Sequence, residues 1–236
     1  MFLDCYSQRP NLEHILDHIH LIGYDGPDGV YINATAFEIE VDNNKYLATS
    51  SHVFHGLNSQ HLRMFTVHND SITYFDAELL RHNDLRVDVI LIKSPNFNYS
   101  RSSLEIGESP TVGDECLMIG FPYGLFERGK AKPTPLIRKG IVSAYGNFNN
   151  LESIKKHIDS PLRGIRLTIA DIISDPGFSG SPLLVRYENG RKIAVVGVVG
   201  GAMLPYVNIN NTPIQVNYGI TRAFDVQYIF EILDGN

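Results

Sequence analysis

The chain has little of what would tie it to a nucleic acid, a membrane or an oxidising compartment. Its 236 residues carry 26 acidic against 20 basic side chains, a formal net charge of -6. Nucleic acids and anionic membranes need a basic face, so neither is expected as a partner. Cysteine occurs only twice, as Cys5 and Cys116. Cys116 lies inside the apolar run Glu115 to Ile119 and reads as a small buried hydrophobe, so no disulfide framework is expected. The N-terminal stretch lacks a basic region followed by an apolar one, and no later run reaches transmembrane length. The expectation is a soluble, cytoplasmic protein.

Metal and nucleotide signals are also thin. His14 and His18 have the four-residue spacing of a helical metal pair, but no third ligand is obvious and no metal site is expected. Gly124-Leu-Phe-Glu-Arg-Gly129-Lys130-Ala131 nearly spells a phosphate-binding loop. Ala131 replaces the required hydroxyl, however, and Pro133 and Pro135 forbid the helix that would hold phosphate. No cofactor is expected. The same loop, Gly124 to Lys139, carries Arg128, Lys130, Lys132, Arg138 and Lys139 and reads as a solvated basic loop.

What is present is strand-forming material. The chain is 43% hydrophobic, with twelve Tyr and twelve Phe, enough for a sizeable core and a bias toward strands. Asn11 is placed to cap a short helix with Leu12, Ile15, Leu16 and Ile19 on one face; Gly23 to Gly29 then reads as a turn-rich loop. Ala36 to Val41, the turn signal Asp42-Asn-Asn, and Lys45 to Thr49 predict a hairpin. Further strands are expected at Leu62–Val67, Ile72–Leu80, Val87–Ile92, Glu115–Ile119, Gly140–Ala144, Gly164–Ala170, Pro182–Arg186, Ile193–Val199 and Gln215–Thr221. Such short strands at this spacing predict an all-β sandwich or barrel. Helices are expected at Leu151–Ile158 and Phe224–Leu233.

One stretch, Asp171 to Leu184, carries the chemistry. Ser179 stands between Phe178 and Gly180 in Pro-Gly-Phe-Ser-Gly-Ser-Pro, a hydroxyl on a tight turn at the mouth of a strand. Glycine permits close backbone approach there, and the amides of Gly177 and Ser179 are candidates for stabilising negative charge on a bound carbonyl. A serine needs a base, and His52 is the histidine placed where the chain leaves a strand. Asp88, a lone acid at the head of an apolar strand, needs a buried partner and is the candidate that orients His52. The order His52, Asp88, Ser179 differs from that of the α/β-hydrolases, in which the histidine follows the serine.

These residues sit in motifs that resemble the trypsin-like serine peptidases, and most of all their HtrA-type branch. Ala-Thr-Ser-Ser-His52-Val is similar to that family's Leu-Thr-Asn-x-His-Val, and Asp88-Val-Ile-Leu-Ile-Lys to its Asp-Leu-Ala-Leu-Leu-Lys. Ile119-Gly-Phe-Pro-Tyr-Gly-Leu resembles Ile-Gly-Asn-Pro-Phe-Gly-Leu, and Gly140-Ile-Val-Ser-Ala is the same in both. The stretch from Asp171 follows Asp-Ala-x-x-Asn-Pro-Gly-Asn-Ser-Gly-Gly-Pro-Leu without a gap, and the resemblance runs from about Ala34 to Thr221.

The resemblance implies two six-stranded antiparallel β-barrels with short terminal helices. Its expected divisions are an N-terminal helical segment 1–29, a first barrel 30–100, a linker 101–110, a second barrel 111–223 and a C-terminal helix 224–236. It implies a serine endopeptidase acting on protein or peptide substrates through an acyl-enzyme. Ile173, Ser174, Val199, Gly200, Gly201 and Ala202 are the expected pocket residues. Without an aspartate at the pocket base, a small or medium apolar residue before the cut bond is expected.

Departures bear on regulation. No PDZ-sized segment follows, so the peptide-sensing module of HtrA proteins is expected to be missing. Phe178 stands where digestive relatives carry the aspartate that pairs with a newly cut N-terminus, so activation by that ion pair is not expected. An activating partner that orders the loops is one alternative; a barrel scaffold that binds peptides without turnover is the other.

Overall fold

The computed structural model describes residues 12–26, 29–55, 57, 61–68, 71–125, 132–147, 162, 164–187, 192–204, 206–209 and 212–235. A short helix α1 (Leu12–Leu16) leads into β1 (Ile19–Gly26), β2 (Gly29–Val41), β3 (Asn44–Thr49), β4 (His61–His68), β5 (Ser71–Arg81) and β6 (Ile90–Lys93). These strands close a barrel in the order β1-β2-β3-β6-β5-β4. The second half supplies β7 (Glu115–Gly120), β8 (Leu136–Asn147), β9 (Arg166–Asp171), β10 (Pro182–Tyr187) and β11 (Lys192–Ala202). A small hairpin, β12 (Tyr206–Ile209) and β13 (Thr212–Gln215), precedes β14 (Ile220–Asp225) and the closing helix α2 (Gln227–Leu233). The second barrel runs β10-β11-β14-β9-β8-β7, so the molecule is an all-β pair of six-stranded barrels.

Local chemistry explains the clearest hairpin. Asp42 and Asn43 both take positive φ, 50° and 61°. That is the geometry of a two-residue turn whose twist matches the strands it joins, and short polar side chains tolerate it. Val41 therefore pairs with Asn44 and the register runs on to Phe37 opposite Ala48. Apolar side chains then fill three regions. Leu47, Met64, Phe75 and Ile90 occupy the first barrel, and Met118, Val142, Leu183 and Val196 the second. Ile39, Leu91, Leu117, Phe121, Val198 and Phe224 belong to a third cluster, which joins the barrels and takes in Ile229 of α2.

Several boundaries differ from those expected. The first barrel begins at Ile19, not near residue 30: Gly23 to Gly26, expected as loop, is strand paired with β2 through a bulge between Ile22 and Gly23. The bulge explains why no clean alternation marks β1. Asp88 lies ahead of β6, which starts at Ile90. Gln215 to Thr221 is split between β13 and β14, and β14 runs to Asp225, so α2 is shorter than the periodicity suggests. The helix expected at 151–158, Cys5, Asn11 and residues 126–131 of the basic loop lie outside the described residues.

The segment between the barrels is pinned to the first of them by one buried acid. Glu38, fully buried, accepts from His20 Nε2 (2.7 Å) and from the Ser100 amide and hydroxyl (2.8 and 3.0 Å). His18 Nδ1 stands 3.5 Å away, its ring edge-on to His14. Leu104 then bridges to Ile39 and Ile106 to Val195, which carries the chain from one barrel to the next. Burial alone would raise the Glu38 carboxyl, but the bonds from His18 and His20, the His20 charge and the Ser100 amide hold it down at about 2. Burial lowers the His20 value.

Both shifts make acid unfavourable to the fold. Glu38 in the folded chain lies below its ordinary 4.5, so its contribution is complete above that value and is lost as pH falls toward about 2. Glu38→Ala is expected to cost about 2 kcal/mol in urea unfolding at pH 7. The difference from wild type should shrink as pH is lowered through that window; a pH-independent difference would remove the ionised carboxylate from this account.

Candidate active site

Strand β3 ends at Thr49, and a 3-10 turn over Ser51–Phe54 carries His52 out of the first barrel. His52 Nδ1 lies 2.6 Å from Asp88 Oδ2, and His52 Nε2 lies 2.9 Å from Ser179 Oγ. The other carboxylate oxygen of Asp88 accepts from the His52 amide (2.8 Å) and the Ser51 hydroxyl (3.1 Å). With both oxygens engaged, the carboxylate has one orientation, and so does the ring it faces. The structure thus brings together His52, Asp88 and Ser179, 127 residues apart at the widest pair in contact.

The loop ahead of Ser179 is held almost atom by atom. The carbonyl of Ser174 accepts from Asn217 Nδ2 (2.8 Å), that of Pro176 from the Tyr123 amide (2.6 Å) and that of Gly177 from Thr35 Oγ1 (2.8 Å). Asp175, Phe178 and Ser179 carbonyls accept from the amides of Phe178, Ser181 and Thr35 (3.1, 2.9 and 3.0 Å). In a trans peptide the N–H points opposite to the preceding C=O. The Pro176 carbonyl is taken by Tyr123 and the Phe178 carbonyl by Ser181, so the Gly177 and Ser179 amides each point away from those partners. Both residues line the cleft, and among the described residues no hydrogen bond takes up either amide.

Thr35 is the hub that sequence reasoning missed. Besides its two bonds to the loop, its hydroxyl accepts from the Phe121 amide (3.0 Å) and its carbonyl from Thr49 Oγ1 (2.7 Å). Ser50 Oγ adds a bond to the Val199 carbonyl (2.7 Å). The only trace of this hub in the sequence is a threonine between two alanines, Ala34 and Ala36, in a strand; its burial is set by the fold.

The cleft, about 630 Å³, is lined on one side by Ile22, Gly23, Tyr24 and Val53 of the first barrel. On the other side lie Ser174, Gly201, Ala202, Leu204, Gln215 and Asn217, with Tyr123 at the rim. Of the six expected pocket residues, Ser174, Gly201 and Ala202 are in this lining, and Ile173, Val199 and Gly200 are not. Val199 is buried in the second core. A side chain at Gly200 would stand 3.2 Å from Asp88 Oδ2, so this glycine lets β11 pass close behind the carboxylate. Ile173 is half exposed at the rim beside Gly219. Among the described residues no three His, Cys, Asp or Glu are placed to hold a metal. Cys116 is a buried thiol that burial pushes up to about 12, far from nucleophilic.

The chain is 27% identical over 186 residues to the magnetosome formation protease MamE of Paramagnetospirillum magneticum, covering 74% of this chain and 22% of MamE. It is 29% identical over 155 residues to a probable periplasmic serine endoprotease, DegP-like, of Buchnera aphidicola, covering 64% of this chain and 27% of that protein. The chain thus spans about a quarter of the length of these curated relatives.

In fold it is similar to the HtrA-type protease AlgW solved with a decapeptide, at TM-score 0.63 and 18% identity, covering 95% of this chain and 65% of that one. An inactive serine-to-alanine mutant of Rv3671c from M. tuberculosis H37Rv gives TM-score 0.58 and 17% identity, covering 97% of this chain and 90% of that one. The description "trypsin-like peptidase domain" matches residues 29–213, most of the chain and all three of His52, Asp88 and Ser179. The chain therefore belongs to the trypsin-like peptidase family.

Proposed function

We propose that the protein is a serine endopeptidase whose nucleophile is Ser179. The observation that carries this reading is the continuous chain Asp88 Oδ2, His52 Nδ1, His52 Nε2, Ser179 Oγ, at 2.6 and 2.9 Å. Ser179 Oγ attacks the scissile carbonyl as His52 takes its proton; the proton then passes to the leaving amine, and water repeats the sequence on the acyl-enzyme. Asp88 holds the ring and its tautomer. The Gly177 and Ser179 amides receive the oxyanion.

Beside Asp175, the cleft wall is built of the uncharged side chains of Ser174, Leu204, Gln215 and Asn217, which supports a small or medium residue before the cut bond. Gly201 and Ala202 line the cleft at the end of β11 and offer backbone for an extended substrate to pair with. Because the loop carbonyls already find partners, the arrangement supports a site assembled within the chain, without an activating partner to order it. The cleft-facing amides and intact hydroxyl favour turnover over the scaffold alternative.

A fluorophosphonate probe tests the assignment directly. Intact-mass measurement should show one adduct on the wild-type chain, mapped by peptide digestion to Ser179, and none on Ser179→Ala. Labelling that persists in that variant, or a wild-type chain that neither labels nor cleaves casein, would overturn the proposal.

A further inference from the structure

The basic loop and Phe178, two features that the function leaves unused, meet in one contact. Arg138, at the β8 side of that loop, places Nη2 2.5 Å from Asp175 Oδ2. Its Cζ lies over the Phe178 ring, 5.6 Å from the centroid. Asp175 and Phe178 bracket Pro176 and Gly177, the peptide that sets the direction of the Gly177 amide, and Asp175 itself lines the cleft. Phe178 is fully buried, so its ring is a fixed platform. A planar guanidinium can bond a carboxylate with one edge while its face rests on a ring, which a lysine ammonium cannot do as well.

We infer that Arg138 is a positioning residue for the oxyanion loop. It fixes both ends of the Asp175–Phe178 turn, so that the Pro176 carbonyl stays on Tyr123 and the Gly177 amide stays on the cleft side. Thr35, through two bonds, and Tyr123 and Asn217, through one each, bind the loop by neutral hydrogen bonds to its carbonyls. Arg138 instead grips it by side chains, at the position where digestive relatives use an aspartate and a cut N-terminus. The inference rests on the endopeptidase reading.

The pair is substantially open to solvent, 38% for Arg138 and 21% for Asp175. An exposed ion pair contributes little to global stability, so its effect is expected in catalysis and not in the melting temperature. Removing an oxyanion donor outright costs a hundredfold or more, and loosening one should cost roughly tenfold.

The test uses the whole chain, a fluorogenic peptide substrate and a peptide aldehyde, whose adduct with Ser179 places an oxyanion in the same hole. Arg138→Met and Asp175→Asn are each expected to lower kcat about tenfold with KM within about twofold, and to weaken the aldehyde in parallel. The double variant should be no worse than either single, because both remove one contact. Arg138→Lys should recover part of the loss. Unchanged kcat in both single variants, or losses that multiply in the double, would overturn the inference while leaving the endopeptidase reading intact. A wild-type chain without hydrolysis or probe labelling would instead overturn that reading, and this inference with it.

Discussion

Replacing Ser179 by alanine is expected to lower peptide hydrolysis about a millionfold in kcat, to the level left by binding and oxyanion contacts alone. The size follows from what the hydroxyl does: without Oγ, His52 has no proton to accept and no acyl-enzyme forms. The fold should not notice. Ser179 is partly exposed and, among the described residues, its hydroxyl is engaged only by His52, while its carbonyl remains bonded to the Thr35 amide. Circular dichroism and melting temperature should match wild type. His52→Ala should fall by a similar factor, and the double variant should fall no further, because the two residues act as a unit. Losses that multiplied would mean that hydrolysis does not pass through this pair.

The parts of this site legible in the sequence are those fixed by local chemistry. Asp42-Asn43 announced its hairpin because few side chains accept positive φ. His52 stood at a strand exit and Ser179 at a strand mouth, in motifs whose order is specific. Asp88 stood out as an acid in an apolar setting, although its strand begins at Ile90, three residues later than periodicity suggests. What could not be read was set by tertiary approach. Strand β1 hides behind glycines and a bulge. Tyr123, Gln215 and Asn217 reach the cleft only because a turn after β7 and the end of the β12–β13 hairpin fold back to one place. Val199 and Gly200 were expected in the pocket wall because β11 leads there, yet one faces the core and the other backs Asp88.

The two barrels contribute unequal things to the site. The first carries the proposed base His52 on the exit from β3 and its orienting carboxylate Asp88 just ahead of β6, and the second carries the proposed nucleophile Ser179 on a loop. Loops are adaptable, so precision has to come from elsewhere. Thr35 supplies much of it from across the seam: one residue of β2 takes two of the loop's backbone groups and a third from Phe121. A motion of one barrel against the other would therefore disturb the oxyanion amides before it separated His52 from Asp88, which belong to the same barrel.

Gly177→Ala should show how narrow that precision is. Gly177 has φ of +100°, which alone strains any other residue. Its missing side chain also faces no free space: a Cβ would stand 2.3 Å from the Phe121 carbonyl oxygen and 2.8 Å from the Tyr123 amide nitrogen. That amide is the donor which holds the Pro176 carbonyl. Relieving the clash pushes it away, frees the carbonyl to turn, and withdraws the Gly177 N–H from the cleft. Loss of one such donor is expected to reduce kcat between about a hundredfold and a thousandfold, or about 3 to 4 kcal/mol in barrier. Gly113→Ala is the matched control, since Gly113 has φ of +96° with nothing within 4 Å of its notional Cβ. It should lose about 1 kcal/mol of stability from backbone strain and no kcat. Equal kcat losses in the two variants would assign the effect to general destabilisation. A loss confined to Gly177→Ala, matched by weaker binding of a peptide aldehyde, would assign it to the direction of one amide.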